Sequence, residues 1–420
     1  MPQRRAELAA ARRAVGHTQE ALAHRLGLDV SSVARWERGV AMPSPSVRRA
    51  LARELAVPLG ELDALLGSTA EETTDPTAAD RLIRDRWSRA ERDELVSALA
   101  VGANPALTRQ GAVRVAHHWL VTDSPMSVES PERGHRRLGT GTVERIDARV
   151  RHLRDADDVL PGGELHQIIR SELAATTGML RGAHYGDATG RRLLAAIAQL
   201  CELAGWSTAD AGQEVAAENY YLRGIGAAHA AGDQVLAAHL VSSLAYHLAE
   251  SGHGADAVLL ARSALARVRG RELAPAVRAL LHARLAWAHA KAGNRAESRA
   301  AMDRAQEHHA GRGADDPEPD WVYWLTAEQM DIIVGRCDTA LGRPDTARDR
   351  IDAAIRKCDP RHAREYALYT TWLAEAHLRA HDTERALALA AQAQRIDASI
   401  ASSFSHRAVA GLSKLLAVRR

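Results

Sequence analysis

At one equivalent position in five consecutive helical units, the sequence places Trp206, Tyr246, Trp287, Arg336 and Glu375. Three aromatic faces followed by a cation and an anion suit an amphipathic small molecule or an extended peptide. Rings take apolar or cationic groups, and charges fix orientation. Other inward positions of the same phase are Gln199, Glu202, His239, Ser242, Gln329, Ile332 and Thr371. The candidate effector-binding set is therefore Trp206, His239, Ser242, Tyr246, Trp287, Gln329, Arg336, Thr371 and Glu375. The competing reading is that Trp and Tyr only fill space between Ala-rich helices. A second candidate lies near the N-terminus. There Thr18 to Leu26, the turn Gly27-Leu28-Asp29, and Val30 to Arg38 form a helix, a three-residue turn and a helix. That geometry presents the second helix to a DNA major groove.

Catalysis is not expected. His117-His118 and His308-His309 are adjacent pairs, which point to different sides of a helix. No HExxH, P-loop, GxSxG or dinucleotide fingerprint occurs. The three cysteines, at 201, 337 and 358, have no zinc or disulfide spacing. Neither a metal nor a cofactor is expected. No apolar run approaches the roughly 18 residues of a membrane span, and the N-terminus lacks a signal-peptide core. The expected location is cytoplasmic, associated with the nucleoid.

The elements that position these residues are helices. Hydrophobic residues are 46% of the 420, yet aromatics are only 4%. Such an Ala- and Leu-rich core favours close-packed helices over sheets. The first 66 residues read as five short helices, with Thr18 and Asp29 as N-caps and Gly16, Gly27 and Gly39 as stops. Their apolar residues Leu22, Leu26, Leu28, Val33, Trp36, Leu51, Leu55 and Leu62 can share one core. Ten Arg against seven acids give this segment a net charge of +3, while the whole chain carries +2. DNA affinity is thus expected to be local to it and salt-dependent. Residues 67–80 read as a linker. Residues 81–186 read as a helical connecting region with helices over 81–101, 105–121, 143–154 and 164–181, and a loop over 122–142.

From 187 to 420 the pattern repeats. Turns fall at Gly212, Gly252, Gly293, Gly342 and His381, spaced 40, 41, 49 and 39 residues. Small residues recur seven before each turn (Gly205, Ala245, Ala286, Gly335, Ala374) and five after (Ala217, Ala257, Ser298, Ala347, Ala386). They recur again twelve beyond, at Ala264, Ala305, Ala354 and Ala393. Small side chains let paired helices approach closely. The spacing resembles tetratricopeptide repeats with lengthened helices, and the long interval holds an insertion from Gly311 to Pro319. The expected fold is all-α: a five-helix N-terminal domain, then a tetratricopeptide-like α-solenoid whose first helices line a concave face.

The run Gly16-His17-Thr18-Gln19-Glu20-Ala21-Leu22-Ala23, Leu26-Gly27-Leu28, Ser31-Ser32-Val33, Arg35-Trp36-Glu37-Arg38-Gly39, Pro43 and Leu59-Gly60-Glu61-Leu62 resembles the phage-repressor-like, XRE-type helix-turn-helix family. The resemblance implies that Gln19 clamps a phosphate. It places Val30, Ser31, Ala34 and Arg35 toward the groove, with Ser32 and Arg38 on the DNA backbone. Arg35 is the candidate for a bidentate contact to guanine. It also implies that Glu37 pairs with Arg12 as a structural ion pair. Together with the repeats, Arg191-Arg192-Leu193-Leu194, Leu203-Ala204-Gly205-Trp206, Asp210-Ala211-Gly212, Tyr220-Tyr221 and Ala228-His229-Ala230-Ala231-Gly232-Asp233 resemble a broad set of actinobacterial regulators. The peptide-sensing regulators of Gram-positive bacteria are a more distant likeness, and Asn, which grips peptide backbone in them, is scarce here.

These resemblances imply a sequence-specific transcription regulator, with repression the default expectation. Its partners are then double-stranded DNA with a palindromic operator, a second copy of the chain, and a small-molecule or peptide effector. The alternative is a DNA-localised scaffold whose repeats dock a protein partner.

Overall fold

The computed structural model describes residues 5–57 apart from 27, 41, 42 and 44; residues 61, 62, 65 and 66; residues 109–121 and 128; and residues 137–418 apart from 159–161, 314, 360, 361, 399 and 401. These residues form eighteen α-helices. Apart from one isolated bridge, Arg137 to His184, no strand occurs among them. None of these helices is long and apolar enough to cross a membrane. The chain divides into two compact units, Met1–Thr77 and Ala78–Arg420. The expected linker, the helix over 81–101, the start of the helix over 105–121 and most of the loop over 122–142 lie outside the described residues.

The first unit holds α1 (Ala6–Ala14), α2 (Gln19–Arg25), α3 (Val30–Glu37) and α4 (Pro45–Glu54). Residues 61, 62 and 65 are helical, and the rest of the expected fifth helix lies outside the described residues. Thr18 caps α2 by accepting from the Ala21 N–H at 3.0 Å, and Asp29 caps α3 by accepting from Ser31 at 2.8 Å. Gly16 and Gly39 take left-handed φ values of 77° and 73°, where a Cβ would be strained. Helix α4 starts at Pro45. Proline's fixed φ suits a first helical position. Leu8, Leu22, Val33, Trp36, Leu51, Leu55 and Leu62 pack into one core, with Leu26 and Leu28 half-buried at its edge.

The second unit begins with α5 (Arg109–Val121), α6 (Thr140–Asp157) and α7 (Gly162–Gly182). Five helical hairpins follow. They pair α8 (Asp187–Asp210) with α9 (Glu214–Ala231), and α10 (Gln234–Glu250) with α11 (Gly254–Arg267). Next come α12 (Pro275–Lys291) with α13 (Arg295–Ala310), and α14 (Ala327–Ala340) with α15 (Pro344–Ile355). The last pair is α16 (Ala363–Arg379) with α17 (Thr383–Asp397), before a final α18 (Ser403–Val418). Every expected turn residue, Gly212, Gly252, Gly293, Gly342 and His381, has positive φ. The small residues at the three recurring offsets are buried between the paired helices. Gly335 shows why: a Cβ there would stand 2.4 Å from Cγ1 of Ile351.

The array does not stay open. Helix α18 packs on α16 and α17 and also on α8, so the last element meets the first hairpin. The expected concave groove is therefore narrowed to a small, partly open cavity.

Two substitutions test this packing by urea unfolding of the second unit. Gly335→Ala is expected to cost about 1–3 kcal/mol through overpacking against Ile351. His381→Gly, which relieves a left-handed φ of 63°, is expected to gain about 0.5 kcal/mol after the extra freedom of glycine in the unfolded chain is subtracted.

Candidate functional site

Helix α3 has two faces. Val33, Trp36 and Glu37 are buried, while Val30, Ser31, Arg35 and Arg38 are exposed and Ser32 and Ala34 half-buried. The spacing of the helix thus turns Val30, Ser31 and Arg35, with Arg38 at the C-cap, to the outer side, and leaves Ser32 and Ala34 half-buried at its edges. Arg35 has no hydrogen-bond or ion-pair partner among the described residues. Its five N–H donors stay available for a base edge. Arg38 donates back to the Ala34 carbonyl at 3.2 Å.

Glu37 holds the three helices in register. Arg12 of α1 grips its carboxylate with two bonds, at 2.7 and 3.3 Å, and Gln19 of α2 donates to it at 2.6 Å. Arg12 also donates to the His17 carbonyl at 2.6 Å, which fixes the turn before α2. The expected pairing of Glu37 with Arg12 is present, and both side chains are nine-tenths buried. Gln19 has a tie that the sequence did not suggest. An amide nitrogen carries two hydrogens, so its link to Glu37 leaves one N–H for a phosphate.

In the second unit, the first helices of the hairpins surround a cavity of about 170 Å³. Helices α6, α8, α10, α12, α14 and α16 contribute, as does the insertion between α13 and α14. That insertion carries a 3-10 turn, Asp320–Val322, and projects Trp321, Tyr323 and Trp324 inward. Trp321 stacks on His239 at 4.1 Å, and Tyr323 donates to Asp158 at 2.5 Å. Arg151 to Asp320 at 3.2 Å and Arg312 to Glu318 at 2.6 Å pin the same segment. Seven of the chain's sixteen aromatic residues line this cavity: Trp206, Tyr246, Trp321, Tyr323, Trp324, Tyr369 and Trp372. A chain so poor in aromatics has concentrated them here, which general space-filling between helices would not do. Trp206, Tyr246 and Trp372 also partition it from a second cavity of about 270 Å³.

Four of the nine expected effector residues, Trp206, Tyr246, Gln329 and Arg336, line the cavity. The other five do not. His239 is buried behind the wall, bound to Glu202 at 2.8 Å. The Ser242 hydroxyl donates to the His239 carbonyl, and that of Thr371 donates to Ala367. Trp287 lies with its ring 4.1 Å from the Arg336 guanidinium, and Glu375 pairs with Arg379 one turn along α16. Arg336 is a junction: it donates to Tyr246 at 2.9 Å and to Glu250 at 2.7 Å, and lies 3.7 Å from the Trp372 ring.

Sequence reasoning missed Arg284, Arg364, Trp372 and the aromatics of the insertion. Arg284 and Trp372 sit three residues before Trp287 and Glu375, so in the third and fifth hairpins the lining lies one helical turn earlier than the chosen ladder. The sequence signal was Trp321, Tyr323 and Trp324 in succession just after the Gly- and Pro-rich stretch.

The cavity's charges are unevenly balanced. Arg364 is paired with Asp157 at 2.9 Å and faces Asp210 at 3.6 Å. Burial pushes the Asp158 carboxyl up, partly offset by the bond from Tyr323. Burial also raises Glu365, and the nearby Asp158 charge adds to it. Burial would raise Glu202 as well, but His239, Arg154 and Arg284 bring it below its usual range.

A helix-turn-helix family model matches residues 8–62, spanning α1 to α4 and the Leu62 side of the core. No curated protein matches the chain. With its exposed α3 face, the first unit is a DNA-binding helix-turn-helix domain, and transcription regulation is the class of activity it supports. The domain is of the XRE type.

Two measurements follow. Arg12→Leu leaves Glu37 buried without its cation and is expected to cost about 3–5 kcal/mol of first-unit stability, whereas Arg12→Leu with Glu37→Leu recovers most of it; thermal unfolding of the variants checks this. Because Asp158 and Glu365 bind protons more tightly when folded, their contribution to stability falls as pH rises from the ordinary carboxylate range through the raised values. Asp158→Asn should flatten that fall in urea midpoints measured across mildly acidic pH, and an unchanged slope would contradict the assignment.

Proposed function

We propose that this chain is a sequence-specific DNA-binding transcription regulator whose helical second unit senses a small-molecule effector. The observation that carries the reading is the outer face of α3, where Val30, Ser31 and Arg35 are exposed on a helix held by buried Val33, Trp36 and Glu37. One such domain makes few base contacts, so a homodimer on a palindromic site is the arrangement that reaches specific affinity, with half-sites about one helical turn apart. Val30 and Ala34 then meet thymine methyls, and Arg35 takes guanine. Gln19, Ser32 and Arg38 hold phosphates.

The narrowed cavity supports a small effector over a docked protein or an extended peptide. The concave side, where a repeat array offers room for such partners, is occupied by Trp321, Tyr323 and Trp324 and bounded by the return of α18 onto α8. The effector acts by binding the DNA-competent and DNA-incompetent shapes unequally, since equal affinity shifts nothing. The chain carries out no chemistry of its own.

Arg35→Ala is expected to weaken binding to the preferred duplex by about 1–3 kcal/mol and relax preference at one base pair per half-site. Arg38→Ala is expected to weaken all duplexes alike and lower the salt dependence. Fluorescence anisotropy with selected and scrambled duplexes separates the two. Unchanged base preference in the Arg35 variant would overturn the groove assignment.

A further inference from the structure

We propose that the effector is a small aromatic acid whose anionic group is bound by Arg284. This rests on the reading of the cavity as an effector site and names the ligand's chemistry.

Arg284 lines the cavity from α12. Its guanidinium lies 4.1 Å from the centre of the Tyr246 ring and 5.5 Å from that of Trp324. Ring contacts use the flat face of a guanidinium and leave its N–H edge unspent. The Nε atom is buried with no hydrogen-bond acceptor among the described residues, and no carboxylate stands within ion-pair distance of the group. The nearest candidate, Glu202, is already held by His239 at 2.8 Å and approached by Arg154 at 4.0 Å.

Each of the other three arginines of the lining donates to a side-chain oxygen, although Arg154 Nη1 and Arg364 Nη1 are also buried without a hydrogen-bond acceptor among the described residues. Arg154 donates to Gln199, Arg336 to Glu250 and Arg364 to Asp157. Asp158 and Glu365 have no arginine within ion-pair distance among the described residues, though His362 lies 3.8 Å from Glu365; a carboxylate can shed its charge by taking a proton, and burial pushes both in that direction. A guanidinium cannot. Arg284 is the lining arginine with neither a side-chain hydrogen bond nor an ion-pair contact among the described residues, its only acid being the more distant Glu202, so an anionic ligand group would supply the acceptor it lacks.

The body of that ligand follows from the wall. Trp206, Tyr246, Trp324 and Trp372 line the space with aromatic rings. A volume of about 170 Å³ is close to the roughly 150 Å³ of an apolar cavity that holds one benzene ring. One ring with a carboxylate fits, and a long peptide does not.

The test uses the full-length protein and three isosteric probes: benzoate, benzamide and benzylammonium, each titrated to millimolar concentration at neutral pH. Calorimetry and the fluorescence of the cavity tryptophans report binding. Benzoate is expected to bind at least about tenfold more tightly than either of the others, the scale of a charge-assisted hydrogen bond. Arg284→Gln should erase that preference, and Arg284→Lys, which keeps the charge, should retain most of it. Circular dichroism melts check folding, and should the Gln variant unfold, the probe ranking in the unaltered chain and the Lys variant still decide. Benzamide or benzylammonium binding as well as benzoate would overturn the anion assignment while leaving an effector site. If none of the three produces heat or a fluorescence change, the effector reading of the cavity falls with it.

Discussion

The guanidinium of Arg364 lies between the ends of two other helices, 2.9 Å from Asp157 at the close of α6 and 3.6 Å from Asp210 at the close of α8. All three side chains are nearly removed from water. Asp210 also accepts from Ser402 at 2.5 Å, just before α18. One cation thus draws the fifth hairpin, the first hairpin and α6 to a common point. Buried ion pairs contribute little net stability against well-packed apolar replacements, but they tolerate no missing partner. Their effect here is on shape: a stack of hairpins that would otherwise remain an open groove is tied end to start. The small cavity and its desolvated charges follow from that closure.

Closure alone would leave an empty lumen. The insertion between α13 and α14 fills part of it with Trp321, Tyr323 and Trp324, and His239 and Asp158 receive two of those rings. What is left is lined by aromatic rings and by one guanidinium without a carboxylate. In the first unit Glu37 does similar work on a smaller scale. It binds Arg12 and Gln19 from two other helices, so the outer face of α3 is presented on a fixed frame. Both units therefore place a buried charge at the junction of several helices and leave an unpaired arginine on the working surface, Arg35 outside and Arg284 within.

Local signals account for what was legible in the sequence. Thr18, Asp29, Gly16 and Gly39 are caps and stops whose geometry depends only on neighbouring backbone, and each behaves as its residue type requires. The turn glycines and the Ala, Gly and Ser offsets of the repeats are likewise local, since helix contact distance is set by side-chain size. The tie between Arg12 and Glu37 was legible only through family resemblance. The cavity lining was half legible: Trp206, Tyr246, Gln329 and Arg336 line it, but His239, Ser242, Trp287, Thr371 and Glu375 do not. Repeat phase identifies the inner side of each helix, not how far the array curls. Once the ends meet, the lining shifts by a turn to Arg284 and Trp372. Contacts such as Arg364 with Asp157, separated by 207 residues, leave no periodic trace.

Selection of duplexes from a random pool by the full-length protein at moderate ionic strength tests the central claim most directly. The account requires enrichment of an inverted repeat with half-sites about one helical turn apart and a guanine in each half-site. A pool that emerges with no enriched sequence, from protein shown to be folded, would contradict it.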